Sequence, residues 1–165
     1  MTERAWIVVT GSRTLTDFGL VAAALDEAWH DATQDGYDGL TLVHGAARGA
    51  DSLAERWWEQ HRQHGVERDV FPARWSDPCI EGACPPGHRK TRRDGTEYCP
   101  LEGHRRNQRI VDHSTPHLPH VLMIAAFATP KSTGTLDCLR RGIAAGIPYR
   151  LIGQPPTLEE IHGEQ

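Results

Sequence analysis

The chain predicts an α/β fold: a doubly wound, mostly parallel sheet of five strands in the order 3-2-1-4-5, with helices on both faces. Three observations lead there. Apolar runs of strand length alternate with helical stretches from one end to the other. At three places such a run stops in a turn of glycine and small or hydroxylated residues that opens straight into a helix. The run "HVLMIAAFA" is apolar without alternation, as a strand covered on both faces requires. Right-handed crossovers then leave few connections to choose from.

"AWIVVTGSR" gives the first strand over residues 6–9, ending at Gly11. "DFGLVAAALDEAWHDA" is a helix capped by Asp17, with Leu20, Ala23, Ala24 and Trp29 near helical spacing. "LTLVHGAARGAD" repeats the design, and the helix after it carries Leu53, Ala54, Trp57, Trp58 and His61 on one stripe before Gly65 stops it. "VERDVFPARW" is the third strand and "GHRRNQRIVDHS" a helix. "HVLMIAAFA" is the fourth strand, "STGTLDCLRRGIAAG" a helix with Leu136, Leu139 and Ile143 inward, and "IPYRLIG" the fifth strand. The tail "QPPTLEEIHGEQ" carries no clear signal. Residues 1–165 are expected to form one domain, with an insert over 77–103.

Composition narrows the function classes. The chain has 38% hydrophobic and 24% charged residues, which describes a folded soluble protein. No apolar run approaches the roughly 20 residues of a membrane span. The charged N-terminus enters a strand at once rather than an apolar leader, so a cytoplasmic location is expected. Net charge is −4, against a dedicated DNA-coating surface. Bases nevertheless gather between 89 and 109: Arg89, Lys90, Arg92, Arg93, Arg105, Arg106 and Arg109 face Asp94, Glu97 and Glu102.

Ligands of such sheets bind beyond the carboxyl ends of the strands, at the topological switch point. The three helix-opening turns are residues 10–13 ("TGSR"), 44–51 ("HGAARGAD") and 131–135 ("KSTGT"). Glycine lets the backbone approach a ligand, and a helix N-terminus offers free N–H groups and positive dipole to an anion. Arg13, Arg48 and Lys131 add charge in the same turns. The expected ligand is a phosphate-bearing small molecule, most simply a nucleotide. Neither the G-x-G-x-x-G fingerprint nor a P-loop is present.

Taken together, "VTGSR", "HGAARGADSLAERW", "HRRNQRIV" and "STGT" are similar to the SLOG superfamily, and the chain resembles its YspA, cpYpsA-related branch, common in bacteria and phages. The resemblance spans about residues 5–152 apart from the insert. It implies a Rossmann-like domain that binds nucleotides or nucleotide-derived ligands, and it admits a homodimer, since relatives pair. Carried over residue by residue, the binding set is Gly11, Ser12 and Arg13; Gly45, Gly49, Ala50 and Asp51; Arg106 and Asn107; and Ser132, Gly134 and Thr135. His44 and Thr133 join it from the same turns. Distant relatives include phosphoribohydrolases with the loop P-G-G-x-G-T-x-x-E, whose glutamate takes part in cleaving an N-glycosidic bond. Here the run reads "PKSTGTLDC": Ser132 replaces a glycine, and Cys138 stands where the glutamate would. Asp137 is one residue early, turned by about 100° on a helix.

Two principal readings follow. A sensor or sequestering module needs only the loops present. An N-glycosidase-type hydrolase needs a carboxylate near the anomeric carbon, for which Asp51 is the best catalytic candidate, with Asp17 or Asp137 behind it. His44 could serve as an acid–base group or brace the turn. A third reading, nucleic-acid binding through "HRKTRR" and "HRRNQR", is disfavoured by the negative net charge and the scarcity of interleaved aromatics.

The insert has its own logic. Cys79-x4-Cys84-x3-His88-x10-Cys99 is a Cys3His set suited to structural zinc, with His104 a rival fourth ligand. Asp94-Gly95 signals a hairpin, and Pro85 and Pro86 stiffen the knuckle. So few apolar residues cannot form a core, and metal would supply the order. Four protein ligands leave no open position for catalysis. The insert runs into "GHRRNQ", so it is expected to prop Arg106 and Asn107 or to cover the pocket. Cys138 is expected to be a packed helix residue.

Overall fold

The computed structural model describes residues 3–77, 79, 84–85 and 87–163; Pro86 falls outside them. Five parallel strands form the sheet in the order β3-β2-β1-β6-β7: β1 (Arg4–Gly11), β2 (Gly39–His44), β3 (Val66–Val70), β6 (Val121–Phe127) and β7 (Tyr149–Gly153). This is the expected 3-2-1-4-5 order once two short hairpin strands are set aside, β4 (Lys90–Thr91) and β5 (Glu97–Tyr98). Every pairing in the large sheet is parallel.

Alternation along each strand divides the core in two. Ile7 and Val9 join Leu40, Leu42, Ile124 and Ala126 under α1 (Phe18–Gln34) and α2 (Ala50–His61). Val8 joins Val43, Met123, Ala125 and Phe127 under α3 (Glu102–Ser114) and α4 (Thr133–Ala144). Phe127 and Leu139 are fully enclosed there, each stabilising the fold by about 1.5–3 kcal/mol relative to exposure.

The helices start where the sequence places them, and Asp17 caps α1 by accepting from the Leu20 N–H at 3.1 Å. The phase of α1 differs from expectation. Its buried stripe is Val21, Leu25, Ala28 and Ala32, while Leu20, Ala24 and Trp29 pack at its margin and Ala23 is exposed. The small Ala28 and Ala32 let the helix lie close against the sheet, which leaves the bulkier Leu20 and Trp29 to its margin. In α4, Leu139 is buried as expected, with Leu136 and Ile143 only partly covered. The tail forms α5 (Leu158–His162), opened by a capping box between Thr157 and Glu160 and anchored on the second core by Ile161.

The winding reverses beside β1, whose neighbours are β2 on one side and β6 on the other. Their carboxyl ends converge with the turns at 10–13, 44–49 and 128–132. Among the described residues, no helix is long and apolar enough to cross a membrane.

Candidate functional site

A cavity of about 430 Å3 opens at this switch point. Gly11, Ser12 and Arg13 line it from the first turn, Gly45 and Asp51 from the second, and Ser132, Thr133, Gly134 and Thr135 from the third. Arg106, Asn107 and His104 reach it from α3. The first and third turns are tied together by the Ser12 hydroxyl, which meets the Ser132 hydroxyl and accepts from the Ala128 N–H at 2.9 Å. The first and second are tied by Gly49, whose φ of +73° brings its backbone so close that a Cβ would lie 2.1 Å from the Ser12 carbonyl oxygen. The Ala50 N–H then donates to that oxygen at 3.1 Å.

Two charged groups are sunk into the floor. Asp51 is buried, and its Oδ2 accepts from the Gly45 and Ala47 N–H groups at 3.1 and 3.2 Å. Its Oδ1 is buried with no hydrogen-bond partner among the described residues. Burial pushes the Asp51 carboxyl up, against the pull of His44, Arg106 and the two amides. Arg106 donates from Nη1 to the Gly45 carbonyl at 2.5 Å and from Nε to Asn107 Oδ1 at 3.1 Å. Its guanidinium lies where a Gly45 Cβ would be, so glycine there lets Arg106 take this position unshifted. Burial pulls the Arg106 pKa down, and Asp51 opposes the shift.

Asn107 donates from Nδ2 to the Gly134 carbonyl at 3.3 Å and to Asp137 Oδ2 at 3.0 Å, joining α3 to α4. Asp137 also accepts from Arg141 Nε at 2.9 Å and does not line the cavity. Burial would raise its carboxyl, but the bonds from Arg141 and Asn107 outweigh it and hold it low. Cys138 is buried in the second core, and burial pushes its thiol up to about 12. It is a packed residue, as expected.

Beside the cavity, Cys79, Cys84, His88 and Cys99 bring their ligand atoms within 4.8 Å of one another, close enough to hold a metal ion. His88 Nε2 lies 3.0 Å from Cys79 Sγ and 3.3 Å from Cys99 Sγ. Its Nδ1 faces the Pro85 carbonyl at 2.8 Å, the partner that would fix the ring with Nε2 free for a metal. Burial acts to raise the Cys79 thiol, but hydrogen bonds from Arg89 and the other ligand groups bring it to about 7. His104 is not in this cluster; its Nδ1 lies 3.9 Å from Asp137 Oδ1. The Asp94–Gly95 hairpin forms with a longer loop than a two-residue turn, closed by Arg92 N–H to Thr96 carbonyl at 2.8 Å.

The cluster is wired to the pocket. The Cys99 N–H donates to the Trp75 carbonyl at 2.9 Å, and the Glu102 N–H to the Cys99 carbonyl at 3.2 Å. Glu102, buried at the first turn of α3, accepts from Arg109 Nη2 at 2.5 Å and from the Arg74 N–H at 3.3 Å. Arg105 reaches the sulfurs of Cys84 and Cys99, one residue before Arg106 enters the cavity.

The family model described as the YspA, cpYpsA-related SLOG family matches residues 6–77. The chain is also 31% identical over 152 residues to the "Gene 61 protein" of Mycobacterium phage D29, covering 91% of this chain and 98% of that protein. The chain belongs to the YspA, cpYpsA-related SLOG family. No solved structure matches it. The family match in this SLOG chain ends where the insert begins and covers the first two turns, whereas the alignment with the phage protein runs through nearly the whole sequence.

Three residues of the expected binding set stand behind the SLOG pocket rather than on it. Gly49 and Ala50 pack the first two turns together. His44 accepts the Ala46 N–H on Nδ1 at 3.0 Å and meets Glu55 with Nε2 at 2.7 Å, so both ring nitrogens are occupied in bracing the second turn. Burial lowers its pKa and keeps it neutral. Sequence reasoning missed Trp75, Pro100 and Gly103, which also line the cavity. Trp75 precedes the insert while Pro100 and Gly103 lie at its end, and only its return to the sheet, made through Cys99 and Trp75, brings them there.

Proposed function

We propose that this chain binds a nucleotide or nucleotide-derived small molecule in the switch-point pocket, as a sensor or sequestering module. The observation that carries the reading is the opening of the α4 N-terminus, Thr133 to Thr135, onto the same cavity as Lys131, Arg13 and the buried Arg106. Unpaired N–H groups and helix dipole favour an anion there. Gly134 leaves the space clear, since a Cβ on it would meet nothing within 4 Å. Membership of the SLOG family supports the same ligand class.

Mass spectrometry of the purified chain, native and then denatured, tests this by weighing and releasing what is bound. A nucleotide-sized adduct is expected, and Gly134→Val should abolish it while leaving the thermal transition in place. Unchanged binding in the valine variant would refute the phosphate position. The same spectra bear on the metal. Three thiolates and one imidazole suit zinc in a closed tetrahedral shell, so one zinc per chain is expected, with a structural role.

A second reading, hydrolysis of an N-glycosidic bond in a nucleoside phosphate, is favoured by one feature: the bare, buried Oδ1 of Asp51 in the pocket floor. Against it, the other nearby acid, Asp137, is engaged by Asn107 and Arg141, and Cys138 stands where the distantly related phosphoribohydrolases carry their glutamate. Release of free base from the bound nucleotide, lost in Asp51→Asn, would favour hydrolysis over capture.

A further inference from the structure

The hairpin has a second face that the main pocket does not use. A cleft of about 480 Å3 is lined by Arg13, Trp75, Thr91, Arg92, Arg93 and Tyr98. It shares Arg13 and Trp75 with the switch-point cavity, so the two meet across that pair. Arg13 lies over Trp75, 5.3 Å from the ring centroid, and Arg92 over Tyr98 at 4.6 Å. The two rings pack edge to face at 6.3 Å. A guanidinium laid on a ring is held in place while its in-plane N–H groups remain able to meet an oxyanion. Arg92 has only long contacts to protein oxygens, 3.4 Å to both Ser76 Oγ and Thr96 Oγ1.

Among the described residues no carboxylate forms an ion pair with Arg13, Arg92 or Arg93. Asp94, their neighbour in sequence, directs Oδ1 to the Thr96 N–H and hydroxyl at 2.9 and 2.6 Å. Three guanidiniums outside the cleft are matched, Arg68 with Glu55, Arg109 with Glu102 and Arg141 with Asp137, whereas the three around the cleft share one space with no carboxylate ion pair among the described residues. Three guanidiniums around one cleft repel one another, and an anion between them relieves that.

We propose that this cleft receives a second phosphoryl group of the pocket's ligand, which is therefore a nucleotide with two phosphoryl positions rather than a 5′-monophosphate. The inference rests on the nucleotide reading of the main pocket. The first phosphate occupies the α4 N-terminus, Arg13, which lines both spaces, meets the oxygen that joins the two phosphoryl groups, and the second phosphoryl group faces Arg92 and Arg93. The same chemistry arises from a terminal diphosphate or from a pyrophosphate bridge between two nucleosides.

Calorimetric titration of the full, metal-loaded chain separates these. The probes are the 5′-monophosphate of each common nucleoside, the matching 5′-diphosphates, and the matching symmetrical dinucleoside pyrophosphates. For the base that binds, a second phosphoryl group should tighten binding at least about tenfold. A gain with the diphosphate indicates a terminal group; a gain confined to the bridged compound indicates the pyrophosphate. The double substitution Arg92→Ser and Arg93→Ser should erase the gain, with metal content unchanged. Equal affinity for all three probes, or a gain that survives the double substitution, overturns the inference and leaves the nucleotide reading intact. Binding of none of them overturns both. A single-stranded oligonucleotide held through Arg92 and Arg93, with no gain among the small probes, would make the cleft a nucleic-acid surface instead.

Discussion

Asp51 sits in the pocket floor with one carboxylate oxygen bonded to two amides and the other bare, and burial raises its pKa above the ordinary 3.8. A carboxyl raised in this way keeps its proton longer in the folded state than in the unfolded chain. Folded stability therefore falls as pH climbs from the ordinary value to the raised one, and is lost no further above it. Asp51→Asn retains an oxygen for the Gly45 and Ala47 amides and removes the titration. Its melting temperature relative to the native chain should rise from about pH 4 upward and then level off. A difference independent of pH, measured by thermal melts across this range, would show that burial does not raise the Asp51 carboxyl. Asp51 was legible in the sequence as a carboxylate at a helix-opening turn. His44, read from the same turn, proved to be a brace. Period-2 alternation says which face of a strand a side chain takes, but not that Glu55, one helix away, will occupy its Nε2.

Elements announced themselves in proportion to how much of their order is local. Strands, helix starts and the three turns follow from apolar period, caps and glycine, and the sheet order from crossover handedness. The helix α5 was missed although Thr157-x-x-Glu160 is a capping-box signature, because five residues offer too little period to weigh. The hairpin is the opposite case: its ligand spacing was clear, whereas its place beside the pocket depends on contacts through Cys99, Trp75 and Glu102. Two strands of two residues each cannot hold such a segment in water. Metal ligation is what can, since structural zinc in small peptides supplies on the order of 10 kcal/mol. Cys84→Ser should therefore lose the metal and lower the melting temperature by several degrees together. If elemental analysis shows the metal gone while the thermal transition stays where it was, the hairpin is ordered by its packing on α3 and not by ligation.

Across the whole molecule, the Cys3His cluster and the pocket both bear on α3. Cys99 hands the chain to Glu102, Arg105 contacts the cluster sulfurs, and Arg106 and Asn107 follow at once in the pocket wall. Trp75, whose carbonyl accepts the Cys99 N–H, forms another part of that wall. A metal that fixes Cys99 thus fixes the entry of α3, and a ligand that draws on Arg106 and Asn107 favours the same arrangement. Two sites biasing one element are coupled, and the coupling is reciprocal. Removing the metal with a chelator should weaken nucleotide affinity by about fivefold or more, and saturating nucleotide should tighten metal retention by the same factor. Paired titrations, ligand with and without metal and metal with and without ligand, measure both sides of that cycle. Nucleotide affinity that is indifferent to the metal would mean α3 is set by the sheet alone, through Ile110 and Val111 against the second core. Equal factors on the two sides would identify the hairpin as a conditional wall of the pocket, present when the metal is.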